Sequence, residues 1–208
     1  MRSYALNMAP PTADKRVLRG ARTRRIIARH AADIASQDGL DGLSLGRLAE
    51  DLGLSKSGVQ TLFVTKERLQ LAAVEAARSL FAESVVTASD SAAPGLATLR
   101  ALIERWIEYA AAPLFRGGCF WGANLVRFGN KPGPVRDALV ASSREWTDLL
   151  TRELGTAISA GEVAERDVEL TVFQLDALLL AANTRLRLGD TEAMTKLRRT
   201  VDELLRAP

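Results

Sequence analysis

Cysteine and histidine are almost absent from the sequence, which has one of each in 208 residues. A single cysteine excludes an internal disulfide framework, and the two residues together cannot supply the ligands of a structural zinc site. Most metal-dependent hydrolases also need several such ligands. We therefore expect no bound metal, and no motif indicates another cofactor.

The sequence also lacks the motifs of common catalytic centres. It has no nucleophile–base–orienter set, no glycine-rich phosphate-binding loop, no paired carboxylates and no HExxH sequence. The only histidine, His30, lies among arginines, where a structural or phosphate-facing role is expected. We therefore expect no catalytic residues, and an all-α enzyme is the least favoured interpretation.

Long hydrophobic runs are missing as well. The longest apolar run covers residues 177–182 and is far too short to span a bilayer. No apolar segment follows the charges near the N-terminus, so no secretory signal is visible. These absences predict a cytoplasmic protein with no membrane partner.

Proline (7), glycine (15) and aromatic residues (5%) are sparse, while Ala, Leu, Arg and Glu dominate, and this composition predicts an all-α protein. Apolar periodicity and breaker residues place the helix ends. We expect Thr23 to cap a first helix that ends at Gly39. The other predicted helices cover residues 45–52, 55–62, 66–89, 96–112, 120–129, 134–160, 167–188 and 191–206.

Positive charge is concentrated at the front of the chain. Residues 1–66 contain 11 Lys and Arg against 6 acids, whereas the remainder contains 17 against 19. This asymmetry favours an anionic partner for the front alone, although charge runs are often simply solvated. Residues 1–20 lack periodicity and are predicted to form a disordered basic arm. Basic residues that could add phosphate or minor-groove contacts are Lys15, Arg16, Arg19, Arg22, Arg24 and Arg25.

Residues 44–63 (SLGRLAEDLGLSKSGVQTLF) have the pattern of a helix-turn-helix. Ala49 is small enough for two helices to cross closely, and Gly53 can adopt the positive φ that the turn needs. The second helix opens with small and polar residues, so its N-terminus can approach a DNA groove. An ordinary αα-hairpin is the alternative at this point.

Residues 23–70 resemble the DNA-binding domain of the TetR family of bacterial transcriptional regulators. The resemblance rests on the first helix ending in Gly39, the Leu-Ala pair at 48–49, the run Leu-Gly-Leu-Ser-Lys at 52–56, and the ending Phe63…Lys66-Glu67…Leu69. It implies a three-helix DNA-binding head (21–66) and a larger helical domain (67–208) that binds a ligand and dimerises. The segment 117–120 (Gly-Gly-Cys-Phe) resembles one found in a subset of the family.

The resemblance also implies residues that contact double-stranded operator DNA, some through phosphates and some in the groove. They are Ser44, Arg47, Lys56, Ser57, Gly58, Gln60, Thr61 and Lys66. Three departures make the operator sequence hard to infer. Gln60 replaces a common tyrosine, Leu62 replaces a frequent histidine, and Gly46 has no side chain where relatives often carry a long one.

Most aromatic residues, 8 of 11, lie after residue 90. Such side chains often line an effector cavity, although aromatic residues at helical spacing more often form core. The predicted ligand-binding residues are Trp106, Cys119, Phe120, Trp121, Asn124, Phe173 and Gln174. Cys119 is interpreted as a buried hydrophobe, a pocket residue or a reactive sensor, in decreasing order of preference.

The last two helices, 167–188 and 191–206, are the best candidates for a homodimer contact. Apolar residues on more than one face of the first of these helices indicate burial on two sides, either in an interface or in the centre of the core. These residues are Phe173, Leu175, Leu178, Leu179, Ala182 and Leu186.

The sequence therefore predicts a ligand-responsive DNA-binding regulator, most simply a repressor that a small apolar effector releases from a palindromic operator. The alternative is a helical ligand-binding or adaptor protein without specific DNA binding.

Overall fold

The computed structural model describes residues 15–111 and 114–207, and this part of the chain contains nine α-helices and no β-strand. The all-α prediction is therefore confirmed. The helices are α1 (Lys15–Asp38), α2 (Leu45–Asp51), α3 (Lys56–Phe63), α4 (Lys66–Phe81), α5 (Leu96–Ala111), α6 (Phe120–Phe128), α7 (Pro134–Ser159), α8 (Val168–Arg187) and α9 (Ala193–Leu204).

The first helix is longer than predicted. It begins at Lys15, eight residues before Thr23, so Thr23 is not its N-cap and residues 15–20, expected to be disordered, are helical. Most residues of 15–22 are good helix formers, and the apolar side chains of Val17 and Leu18 are exposed, so helix propensity extends this helix. Residues 1–14 of the predicted arm lie outside the described residues.

The five rear helices, α5 to α9, begin and end within two residues of their predicted bounds. Glycines with positive φ, such as Gly133 and Gly161, separate them as expected. The breaker residues therefore located these elements correctly.

Helix α4 ends earlier than predicted and continues irregularly. A π-turn (Ala82–Val86) and a 3-10 turn (Thr87–Ser89) follow Phe81. An α-helix continued from buried Ala77 would turn Ser84 inward. The extra residue of the π-turn brings Val85 to the core instead, and Val85 is fully buried.

One hydrophobic core runs through both halves of the molecule. In the head, Ile27, Ile34, Leu48, Val59 and Phe63 are buried together. The core continues through the inner faces of α4 to α9. Helix α1 packs against both α4 and α6, so the head contacts the rear domain through two helices.

No helix in residues 15–111 and 114–207 is both long and apolar enough to cross a membrane. No group of three or more His, Cys, Asp or Glu side chains in the same ranges could hold a metal ion.

Candidate nucleic-acid interface and ligand cavity

Helices α2 and α3 form the predicted helix-turn-helix. Ser44 caps α2 by accepting a hydrogen bond from the Arg47 N–H at 3.1 Å, as expected from its position. Ser55 caps α3 in the same way through the Gly58 N–H at 3.1 Å. Gly53 has φ of 62° in the turn, and Ala49 is buried at the crossing. The local roles of Ser44, Ala49 and Gly53 are therefore confirmed.

Helix α3 has one buried and one exposed face. Val59 and Phe63 are fully buried against the head. The exposed face consists of the five α3 residues predicted to meet DNA, which are Lys56, Ser57, Gly58, Gln60 and Thr61. The Lys56 ammonium carries the only charge among these five residues. Together they are called the reading face.

Arg24, predicted as a possible phosphate contact, packs against the end of α3. Its guanidinium lies over the Phe63 ring, 4.5 Å from the centroid, and donates a hydrogen bond to the Leu62 carbonyl. It therefore fixes the C-terminal end of α3 relative to α1.

The two remaining basic residues at the interface already have partners. Arg47 Nη1 lies 2.6 Å from Asp38 Oδ2, and Lys66 Nζ donates to the Asp41 carbonyl at 2.5 Å. Both side chains are exposed. A phosphate contact from either would have to replace or share these interactions.

A cavity of about 500 Å³ lies between α4, the π-turn, α5, α6, α7 and α8. Three predicted ligand residues, Trp106, Cys119 and Trp121, line it. The other lining residues include Arg78, Phe81, Ser142, Glu145, Trp146, Leu149, Arg152, Asp176 and Leu179.

Four predicted ligand residues do not line this cavity. Phe120 is fully buried beside Phe115, and its N–H donates to Tyr109 Oη at 3.1 Å. Asn124 is buried between α6 and the head. Phe173 and Gln174 are exposed, because the inner face of α8 passes through Leu175 and Leu179.

Phe81 and Trp146 are cavity residues that sequence reasoning missed. The Phe81 ring contacts Tyr109, Trp121 and Trp146, with centroid distances of 5.2, 5.2 and 5.3 Å. Phe81 was overlooked because it precedes residue 90, at the end of the helix that joins the head to the rear domain.

Asp176 was also missed, although a signal was present. It is the only charged residue between Glu169 and Arg185 on α8. Burial raises the pKa of its carboxyl group. No hydrogen bond or ion pair from the described residues reaches this carboxylate.

The other polar groups around the cavity have distinct environments. Glu145 accepts two hydrogen bonds from Arg78, at 2.8 and 3.0 Å, and these hydrogen bonds raise the pKa of Arg78. Burial raises the pKa of the Cys119 thiol, which favours a protonated small hydrophobe over a reactive sensor. The buried Trp121 Nε1–H has no acceptor in the described part of the protein.

Asn124 connects the cavity wall to the head. Its Oδ1 accepts from the Leu40 N–H at 2.8 Å, and its Nδ2 donates to the Ala35 and Phe120 carbonyls at 3.1 and 2.8 Å. Trp121 and Leu125, on the same short helix, line the cavity. A shift of α6 would therefore reach the end of α1 directly.

Gly117 strengthens the same connection by close backbone approach. A Cβ atom there would lie 2.0 Å from the Ser36 carbonyl oxygen, so only glycine fits. Ser36 Oγ in turn accepts from the Gly117 N–H at 2.9 Å. Next to it, Arg116 forms an ion pair with Asp33 at 2.7 Å.

Helix α8 also carries an exposed apolar stripe on its outer side. Leu170 and Phe173 on α8, and Leu188 directly after its end, are exposed, and Phe173 is 70% exposed. Leu179, by contrast, is 1% exposed and belongs to the core of the protomer. The exposed residues of α9 are polar or charged, so of the two helices expected at a dimer contact only α8 presents an apolar face.

The rear part of the chain matches a family model described as "Tetracyclin repressor-like, C-terminal domain" over residues 95–201, just over half of the chain. No curated protein matches the sequence.

Solved structures with the same fold are numerous. A TetR transcriptional regulator from Chloroflexus aurantiacus superposes with a TM-score of 0.81 at 23% identity, over 92% of this chain and 100% of that chain. A TetR-family regulator from Cytophaga hutchinsonii gives 0.75 at 24%, over 90% and 94%. AibR in complex with isovaleryl coenzyme A and operator DNA gives 0.68 at 19%, over 89% and 99%. Similarity at these identities establishes the fold.

Proposed function

The chain belongs to the TetR family of transcriptional regulators, and from that premise we propose that it is a dimeric, ligand-responsive repressor rather than an enzyme. In this proposal residues 21–66 form the DNA-binding head, and residues 67–208 bind the effector and dimerise. A small, mostly apolar effector releases the protein from a palindromic operator. The observation that carries the proposal is the direct connection of one cavity to the head through α4 and α6.

DNA recognition is assigned to the reading face of α3. In a helix-turn-helix the second helix enters the major groove. The small residues Ser57 and Gly58 allow close approach of the helix N-terminus, while Lys56 can neutralise a phosphate and Gln60 and Thr61 can hydrogen-bond base edges. The AibR complex with operator DNA supports this assignment by similarity of fold.

Dimerisation is assigned to the exposed apolar stripe of α8. One short recognition helix reads too few base pairs for specificity, so a two-fold dimer on a palindromic site is the simplest arrangement. Exposed Leu170, Phe173 and Leu188 would be buried in such a contact.

Release is assigned to movement of α4 and α6. Phe81 on α4 and Trp121 on α6 line the cavity, while Lys66 begins α4 at the head and Asn124 bonds to Leu40. A ligand that prefers one arrangement of these helices shifts the equilibrium by its differential affinity, typically about 5–150-fold.

Fluorescence anisotropy with DNA from upstream of the chain's own gene tests the proposal. We expect saturable binding that survives competition by shuffled DNA of the same composition. Binding that shuffled DNA abolishes would contradict it and favour the helical adaptor alternative.

A further inference from the structure

We propose that the cavity takes a small organic cation, with an amine or quaternary ammonium group beside Asp176 and an apolar body against the aromatic walls. This inference rests on the proposed function, in which the cavity holds the effector, and it specifies the chemical class of that effector.

The Asp176 carboxylate is the first observation. It projects from the otherwise apolar middle of α8 into the cavity, between buried Leu175 and Leu179, and has no ion-pair or hydrogen-bond partner in residues 15–111 and 114–207. Burying an unpaired carboxylate is unfavourable, and burial raises its pKa accordingly. A bound cation would compensate that cost.

The other charges at the cavity are already balanced. The Arg78 guanidinium is held in a two-bond pair by Glu145. Arg152 Nε lies 3.1 Å from Glu153 Oε1, and its side chain is 66% exposed. A bound anion would therefore lie near the Asp176 carboxylate with no unpaired guanidinium in the cavity wall to attract it. A bound cation would instead lie near a carboxylate that has no other partner.

The aromatic walls are the second observation. The Phe81 ring stands at 64° to Trp121 and 87° to Trp146, so the three rings form walls at steep angles rather than a flat stack. Aromatic faces attract cations, and the attraction grows when water is excluded.

Three related aromatic probes, two of them isosteres, test the charge preference directly. They are phenyltrimethylammonium, its neutral carbon isostere tert-butylbenzene, and the anion 4-tert-butylbenzoate, each titrated into the full chain while tryptophan fluorescence is recorded. We expect the cation to bind about tenfold or more tightly than either of the others. Stronger binding of the neutral or anionic probe, or no binding of any of them up to millimolar concentration, would overturn the proposal.

The variant Asp176→Asn keeps the side-chain shape and removes the charge. It should weaken phenyltrimethylammonium by about tenfold, toward the affinity of tert-butylbenzene. Asp148→Asn is the matched control, since Asp148 is exposed on α7 and does not line the cavity. Equal loss in both variants would contradict the role of Asp176. If Asp176→Asn does not fold, the ranking of the probes on the unaltered chain still decides the question.

The probe titration contains no DNA, so its outcome is independent of the proposed regulation. A cation that binds through Asp176 without changing DNA affinity would leave this inference standing and remove the sensing role. If instead all three probes bind equally well and release DNA, the sensing role stands and this inference fails.

Discussion

The Asn124 Oδ1 atom accepts a hydrogen bond from the backbone N–H of Leu40 at 2.8 Å, although 84 positions separate the two residues. Leu40 follows the end of α1 in the head, and Asn124 lies on α6 beside the cavity wall. The amide was predicted to bind a ligand because it is polar on an apolar helix. It instead satisfies buried backbone groups where the head meets the rear domain.

Replacing Asn124 with alanine should therefore destabilise the protein. The change leaves the buried Leu40 N–H without a partner, which should lower the free energy of unfolding by about 1–3 kcal/mol. Urea denaturation followed by circular dichroism measures this. Asn130→Ala, at an exposed position, is the control and should change stability by less than about 0.5 kcal/mol. Similar losses in both variants would exclude the bridging role.

Lys56→Ala should weaken DNA binding across all sequences, because an exposed lysine at the start of α3 is assigned to a phosphate. The slope of log affinity against log salt should fall by about one unit. Lys66→Ala should have a smaller effect, since the Lys66 ammonium is shared with the Asp41 carbonyl. Anisotropy titrations at several salt concentrations measure both.

Lys196→Ala, at an exposed position of α9, is the matched control for charge. It should leave affinity and slope near those of the unaltered protein. Unchanged binding in Lys56→Ala would contradict the placement of α3 on DNA.

The elements that the sequence predicted well are those bounded by strong local signals. Gly133 with Pro134, Gly161 and Gly189 interrupt helical periodicity, so the rear helices could be placed closely. The π-turn after Phe81 could not be predicted from local signals. It forms because Val85 rather than Ser84 fits the core, and that choice depends on packing against α5. The cavity was predicted only in part, since the direction of a side chain around α8 depends on packing: Asp176 faces the cavity, whereas Phe173, three residues earlier, faces outward.

Phe173→Glu should convert a dimer to a monomer. The side chain is exposed in the protomer, so a charge there is tolerated by the fold but would be buried without a partner in a two-fold contact through α8. Leu179 is unsuitable for this test, since a charge there would disrupt the protomer core. Sedimentation velocity at micromolar concentration measures the mass.

Val126→Glu is the control for that experiment, because Val126 is also apolar and exposed but lies on α6. It should leave the dimer intact. A monomeric mass for the unaltered chain, or a dimeric Phe173→Glu variant, would refute the assigned interface.

Val64→Gly should stabilise the head. Val64 has φ of 62° and ψ of −53°, and the Thr65 N–H donates to the Phe63 carbonyl at 2.6 Å, so Val64 is the central residue of a γ-turn with positive φ. This geometry is strained for a β-branched residue, and Val64 is 56% exposed, so little packing is lost. A gain of about 1 kcal/mol would raise Tm by about 2–4 °C. Val126→Gly, in a regular helix, should lower Tm, and a decrease in both variants would contradict the strain.

Asp176→Asn should make the protein more stable near neutral pH, in contrast to its expected loss of cation binding. Burial raises the folded-state pKa of Asp176 above that of the unfolded chain, so the folded state holds this proton more tightly. Stability of the unaltered protein therefore falls as pH rises from the unfolded pKa, about 3.9, through the raised folded pKa, and stays lower above it. The asparagine variant does not lose stability in this way. Its free energy of unfolding should therefore exceed that of the unaltered protein most near pH 7, and the difference should disappear toward about pH 4. Urea denaturation of both proteins across this range measures the difference, with Asp148→Asn as the control. A constant or inverted difference would show that the Asp176 carboxylate is compensated within the protein and needs no cationic ligand.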